Sequence, residues 1–439
     1  MHHSRTKTQI KKYSLFCVFV VKEIPAMKKP ELLIPAGNFE KLKVAIHYGA
    51  DAVYLAGPKY GLRKKAGNFS LQELEKAVKY AHQKETKVYL TVNIFARNND
   101  LNGIAGYLKE IENLGADAVI IADPGVFHIA KKTVPNLPVH LSTQANTTNQ
   151  ESALFWKNQG VKRICLAREL SLQETKEIIE KTDMEIELFI HGAMCISYSG
   201  RCLMSKYMAD RDANEGDCSQ TCRWEYSLME DKRAGEYFPV EQDERGTYFF
   251  SSKDLCLIKY IPELIQSGAS SFKIEGRMKS IYYTSVVTKI YREAIDRYWK
   301  DRENYLYNPE WEKELSKTSN RTFTTGFFNG ESDNDTSTSS NAIQTYDFLG
   351  IVKEALSKNR ALVDIRNKFA SGDKIEWLGK KGKPASLKID SILDAEGVRN
   401  KEVAQPNDKV IIQFDAPVEK YDILRKKRNG GSPHIMPGS

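Results

Sequence analysis

Nothing in this 439-residue chain is long and apolar enough to span a bilayer. The apolar run near the N-terminus, Leu15-Phe16-Cys17-Val18-Phe19-Val20-Val21, is only seven residues long, against about 20 for a spanning helix. A basic start and an apolar stretch give the outline of a signal peptide. However, Lys22 and Glu23 follow at once and no small-residue cleavage site appears. The expectation is a cytoplasmic protein with no membrane partner; residues 1–29 read as a basic extension, within which Met27 is the expected start of translation. Strong charge of one sign is also missing from the body of the chain. The formal net charge is +8, but residues 1–30 hold seven Lys and Arg against Glu23 alone. The remainder is close to neutral, so charge by itself does not argue for a nucleic-acid partner.

Several catalytic signatures are absent. There is no His-Glu-x-x-His zinc helix and no Gly-x-Ser-x-Gly elbow. No glycine-rich phosphate loop follows the first strand, where Pro35-Ala36-Gly37-Asn38 stands instead, and this sets aside a doubly wound dinucleotide fold. Cysteine is scarce, with seven in all, but five of them (Cys195, Cys202, Cys218, Cys222 and Cys256) fall within 62 residues. Clustered cysteines in a large cytoplasmic chain point to metal binding or catalysis more than to disulfides. Cys17 and Cys165 stand apart and read as small core hydrophobes.

An internal repeat organises the first two-thirds. Gly49-Ala50-Asp51-Ala52-Val53 recurs as Gly115-Ala116-Asp117-Ala118-Val119, with variants at Gly160 and Gly268. Each copy follows a helix-like stretch and opens a short apolar run. This is the pattern of a glycine helix cap, a tight turn and a strand covered on both faces. Eight strands are predicted: Leu32–Pro35, Ala52–Ala56, Lys87–Val92, Ala118–Ala122, Val139–Ser142, Arg163–Ala167, Ile186–Ile190 and Ser271–Glu275. Helices such as Leu71–Gln83 and Leu172–Lys181 lie between them. Eight such units imply an α/β fold, a (β/α)8 TIM-like barrel over residues 30–300. About 80 residues separate the last two strands. This Cys-rich insertion, 192–256, leaves the strand end where barrel active sites are built. A long helix, Ile281–Lys300, is followed by a predicted linker, 301–342, whose residues 331–342 are polar and of low complexity. Short strands with glycine-marked turns then imply a small β-barrel domain over 343–428, before a tail, 429–439.

The cysteine spacing is Cys-x6-Cys-x15-Cys-x3-Cys-x33-Cys. Thiolates hold soft metals and iron–sulfur clusters, and four close such a site. Zinc favours Cys-x2-Cys knuckles, absent here. A radical-SAM triplet would need a third cysteine at position 225, which is Glu. Cys195, Cys202 and Cys218 are the firmer ligands, with Cys222 and Cys256 both open as the fourth. At predicted strand ends stand Asn93, Gln144, Arg168, His191, Glu275 and Arg277. Arg168, Arg277 or Lys273 would bind an anion. Glu275 and Arg277 are near enough to pair structurally. His191 reads as a proton donor near the metal or as a satisfied core histidine.

These blocks resemble peptidase family U32, the collagenase-like peptidases. The resemblance rests on Glu187-Leu-Phe-Ile-His191-Gly-Ala-Met-Cys195, Gly200-Arg-Cys202-Leu-Met-Ser205, the run Arg211–Trp224 with Cys218-Ser-Gln-Thr-Cys222, Ser251-Ser-Lys-Asp-Leu255, Phe272-Lys-Ile-Glu-Gly-Arg-Met-Lys279 and Glu31-Leu-Leu-Ile-Pro-Ala-Gly-Asn38. It extends from about residue 30 to about 425. It implies a 4Fe-4S cluster on cysteines and oxygen-independent hydroxylation. The block Cys218–Trp224 is most similar to the branch that makes 5-hydroxyuridine at the tRNA wobble position. That branch implies tRNA as partner and prephenate as co-substrate. Lys273 and Gln144 are the cofactor-binding candidates by their place at the strand ends, and an electron-donor protein is a further expected partner. Two other functions compete. One is a peptidase using Cys195 activated by His191, which leaves the remaining cysteines unexplained. The other is a non-catalytic RNA-binding protein with a structural cluster.

Overall fold

The computed structural model describes residues 28–61, 68–195, 197–221, 241–243, 246–248, 253–330, 343–415 and 417–428. Eight parallel strands close into a barrel: β1 (Glu31–Pro35), β2 (Ala52–Leu55), β3 (Lys87–Val92), β4 (Ala118–Ile121), β5 (Val139–Leu141), β6 (Arg163–Cys165), β7 (Glu185–Ala193) and β8 (Ser271–Ile274). Closure is explicit, since β8 pairs in parallel with both β7 and β1. All eight predicted strands are present, shifted by no more than three residues at an end. Helices cover the outside, and two of them, Leu71–His82 and Leu172–Thr182, begin in capping boxes made by Ser70 with Glu73 and Ser171 with Glu174.

The repeat works as read and does one thing more. Gly49, Gly115, Gly160 and Gly268 all take positive φ, the left-handed cap that only glycine adopts without cost. In the two full copies the aspartate two residues later reaches back to the neighbouring strand. Asp51 Oδ2 accepts from the Leu32 N–H at 2.8 Å, and Asp117 Oδ2 from the Val88 N–H at 2.7 Å. Each copy thus ends a helix and ties the entrances of two adjacent strands together.

The barrel interior is unusually polar. Such barrels are commonly filled by branched apolar side chains. Here Arg163 meets Glu31 at 2.6 Å and Glu185 at 3.1 Å, and Tyr89 donates to Glu31 at 2.7 Å. One layer up, Lys273 donates to Glu187 at 2.7 Å, both side chains being almost fully buried. Burial opposes the charge of Lys273, but the Glu187 carboxylate outweighs it and raises its pKa. Burial would likewise raise Glu187, and Lys273 and Arg163 hold it below the usual carboxylate range.

Two strands add to the barrel sheet without joining the ring. Asp254–Cys256 pairs antiparallel with the end of β7, and Phe323–Thr324 pairs in parallel with it. Residues 301–330, expected as linker, are built into the structure by this pairing and by the helix Glu310–Ser316, whose Trp311 is buried against the barrel's helices. Residues 331–342 lie outside the described residues, as do 1–27 and 429–439.

From Tyr346 onward an eight-stranded antiparallel sheet wraps one apolar core that includes Val363, Ile412 and Leu424. Its last strand, Ile423–Lys427, contains most of the basic run Arg425-Lys426-Lys427-Arg428, which in sequence adds four positive charges side by side. The structure pairs that run. Arg425, with no exposed surface, donates to Glu376 at 2.6 Å, Glu314 at 2.7 Å and the Tyr282 hydroxyl at 3.2 Å, while Lys426 and Arg428 meet Asp373 and Asp347 at 2.7 Å. The Arg425 contacts to Glu314 and Tyr282, with Tyr48 Oη donating to the Leu378 carbonyl at 2.7 Å and Lys289 Nζ to that of Gly379 at 2.8 Å, seat the domain against the barrel's helices. Lys353 and Arg366 also meet Glu40, in the first turn of the helix Phe39–His47. Phe369 and Phe414 are core residues here, and the indole of Trp377 donates to Asp422. Among the described residues no helix is long and apolar enough to cross a membrane.

Candidate active site

A cavity opens at the C-terminal ends of the barrel strands and encloses about 1020 Å³, counting the part open to solvent. Its floor and walls come from the strand ends, with Tyr54, Thr91, Phe189 and Lys273 from the barrel interior. Its roof comes from the insertion, with Cys195, Ser199, Cys202, Ser205, Cys218 and Thr221. Six side chains singled out in the sequence meet here: Asn93, Gln144, Arg168, Lys273, Glu275 and Arg277.

Their partners show how each is held. Asn93 Nδ2 donates to Gln144 Oε1 at 2.9 Å, with the Ser142 hydroxyl at 3.3 Å from the same oxygen. Arg168 lies over the Phe189 ring, 4.6 Å from its centroid, and donates to the Ala193 carbonyl at 2.7 Å. Arg277 is buried and donates to Asn68 at 2.9 Å and to Thr91 at 3.4 Å. Lys273, tied to Glu187, forms part of the floor. Three cationic side chains therefore surround one water-accessible space, the arrangement that binds carboxylate or phosphate oxygens.

The thiols divide into two groups. Cys195, Cys202 and Cys218 all face the cavity. Burial pushes the Cys195 thiol up, opposed by the Ser197 N–H and by the Arg168 guanidinium, while Cys202 and Cys218 add to the rise. The three are thus near enough to act on one another. Cys222 lies outside the described residues, but Thr221, which precedes it, lines the same cavity. Cys256 sits elsewhere. It is buried among apolar residues with its sulfur 3.8 Å from the Tyr291 hydroxyl, and burial pushes its thiol to about 12. The structure thus separates Cys256, one of the two candidates for the fourth ligand, from the other three thiols.

His191 is also not in the cavity. Its ring contacts Tyr283, Tyr291 and Phe323, with Nδ1 at 3.3 Å from the Tyr291 hydroxyl. The cause is a bulge in the β7–β8 ladder. Lys273 pairs with Phe189 but Ile274 pairs with His191, leaving Ile190 as an extra residue. The in–out alternation breaks there, and His191 turns outward. Burial lowers its pKa to about 3, so it is a neutral core histidine. It does not reach Cys195, and a Cys195–His191 dyad is not assembled.

Sequence reasoning missed the residues that hold the insertion: Asn146, Glu169, Ser199 and Asn214. Only Ser199 and Asn214 lie inside the cysteine segment, and nothing in their local pattern separates them from ordinary loop polar residues.

The donor set can be tested against the group that the spacing implies. Among the described residues no three His, Cys, Asp or Glu side chains converge tightly enough for a single metal ion. Three free thiols around a shared cavity, with a fourth cysteine one residue beyond Thr221, fit a larger thiolate-bound group.

Comparison with known proteins adds the family. Residues 37–338 match peptidase family U32, and residues 344–425 match the peptidase family U32 C-terminal domain. The chain belongs to peptidase family U32. Among its relatives, tRNA hydroxylation protein P1 of Bacillus subtilis (strain 168) is 42% identical over 403 residues, covering 91% of this chain and 95% of that protein. The tRNA hydroxylation protein P of Escherichia coli (strain K12) is 36% identical over 399 residues, covering 81% and 87%. The 23S rRNA 5-hydroxycytidine C2501 synthase of the same E. coli strain is 37% identical over 272 residues, covering 62% of this chain and 40% of that one.

Proposed function

We propose that this U32 member hydroxylates RNA, with tRNA uridine at the wobble position as substrate, 5-hydroxyuridine as product and prephenate as co-substrate. The observation that carries the reading is the meeting of Cys195, Cys202 and Cys218 with Arg168, Lys273 and Arg277 in one cavity at the barrel mouth. The names of the relatives support RNA hydroxylation as the reaction class.

In this reading Cys195, Cys202, Cys218 and Cys222 hold a 4Fe-4S cluster, which supplies one-electron chemistry when bound. Arg277 and Arg168 bind the carboxylates of prephenate. Lys273, kept charged by Glu187, gives the floor a fixed positive potential. Gln144, oriented by Asn93 and Ser142, is the neutral hydrogen-bonding wall against which a base can be read. A single-stranded base also needs an exposed surface to stack on. The insertion offers candidates: Tyr198, Leu203, Tyr207 and Met208 are all exposed, Tyr207 at 91%.

The test is anaerobic reconstitution of the full-length chain, followed by assay on unmodified tRNA with and without prephenate. Iron and sulfide bound to the wild type and prephenate-dependent 5-hydroxyuridine are expected. Tyr207→Ala is expected to raise the KM for tRNA by about tenfold, as loss of one stacking contact does, with iron content unchanged. Wild-type protein that binds iron but yields the same tRNA with and without prephenate would rule out the co-substrate.

A further inference from the structure

Nine non-glycine residues take positive φ in the described structure, and three of them (Ser199, Asp210 and Gln220) fall between the first site thiol and residue 221. Backbone strain of this kind persists only where surrounding contacts over-determine it. Those contacts are identifiable. Ser199, 1% exposed, donates its N–H to Glu169 Oε1 at 2.9 Å and its hydroxyl to Asn146 Oδ1 at 2.7 Å. Glu169 follows β6 and Asn146 follows β5, so the loop between Cys195 and Cys202 is pinned to two barrel strands. Arg201 adds a third tie, donating to the Gln144 carbonyl at 3.0 Å.

Asn214 holds Cys202 itself. The Cys202 N–H donates to Asn214 Oδ1 at 3.3 Å, and Asn214 Nδ2 donates to the Cys202 carbonyl at 3.0 Å. One carboxamide therefore grips the backbone of a site cysteine at both its polar groups. Past Cys218, the left-handed turn at Gln220 brings that residue's N–H to 3.4 Å from the Cys218 sulfur.

We propose that Asn214, and Ser199 with its two acceptors, are positioning residues that hold the thiols at the spacing a thiolate-bound metal group requires before the metal arrives. This rests on the cluster reading above. Asn is the side chain the geometry asks for, because a carboxamide both accepts and donates. Aspartate would keep the acceptor and lose the donor, and leucine would lose both at similar size.

The experiment uses the full chain reconstituted anaerobically with iron and sulfide, and follows loss of the visible absorbance after adding a chelator. Asn214→Leu is expected to lose iron about tenfold faster than wild type, the lower end of what outer-shell partners of metal ligands contribute. Asn214→Asp should fall between. Ser199→Gly, which keeps the left-handed backbone and the N–H to Glu169, should show a smaller acceleration. As a metal-free readout, iodoacetamide labelling is mapped by mass spectrometry. Cys202, 7% exposed in the wild type, should label faster in Asn214→Leu while Cys256, buried outside the cavity, does not. Wild-type release and labelling rates in Asn214→Leu would overturn the positioning role and leave the cluster reading standing. Faster labelling at both cysteines with a lowered Tm would mark general loosening and overturn it too. A wild type that takes up no more iron than Cys202→Ala would remove the cluster reading, and this inference with it.

Discussion

A single buried pair shows how the barrel can carry charge at its centre. Lys273 and Glu187 stand 2.7 Å apart with almost no exposure. Removing one partner leaves the other as an uncompensated buried charge, which costs about 3–5 kcal/mol. Lys273→Met is therefore expected to lower the free energy of unfolding by about that amount in guanidinium titration, while Lys273→Met combined with Glu187→Leu recovers most of it. The neutral histidines make a separate prediction. Burial takes both His140 and His191 to a pKa of about 3. Their contribution is full above the ordinary value near 6.5 and is lost as pH falls toward the folded value, because only the unfolded chain takes up the proton. By pH 5 this amounts to roughly 2 kcal/mol for each. Unfolding midpoints should drop between pH 7 and 5, and the slope should be shallower in His191→Gln. A slope unchanged by that substitution would show that His191 is not the titrating group.

At the scale of elements, the strand ends were readable because barrel strands are buried on both faces and so print as short apolar runs. The residues just past them, Asn93, Gln144, Arg168, Glu275 and Arg277, follow from that register. What broke the pattern was local geometry that no periodicity carries. The bulge at Ile190 turned His191 out of the cavity. The strand Asp254–Cys256 is only three residues long and took Cys256 into the core instead of toward the other thiols. Arg425 was hidden inside a basic run because only the fold brings Glu314 and Glu376 to it. The bulge also depends on Gly192, at φ +109°, where an added Cβ would lie 2.4 Å from the Glu275 carbonyl oxygen. Gly192→Ala is expected to destabilise by about 1–3 kcal/mol from strain alone and to push β7 away from Glu275. A thermal melt together with iron content would check it, and a wild-type value of both would mean the close approach is not required.

Over the whole molecule, the two domains are joined by ion pairs around Arg425 and by apolar packing, with Ile351, Leu378 and Ile423 buried in the same core cluster as the barrel residues. Arg425→Met should cost about 1.5–3 kcal/mol, the loss of charge-assisted hydrogen bonds to Glu314 and Glu376, which keep Lys317 as a shared cation, and should speed limited proteolysis between the domains. Phe369 and Phe414 lie in the domain's own core and Phe348 stacks on Tyr282 of the barrel, while Arg168, Lys273 and Arg277 line the barrel mouth. That is also where the thiols are, and they are sorted by the structure into three that face a cavity and one, Cys256, that does not. The most direct measurement is nucleoside mass spectrometry of tRNA from a strain lacking the gene, complemented with wild type, Cys202→Ala, Cys222→Ala or Cys256→Ala. Wild type and Cys256→Ala should restore 5-hydroxyuridine, and Cys202→Ala and Cys222→Ala should not. Restoration by Cys202→Ala would contradict the thiol cavity as the site of the reaction.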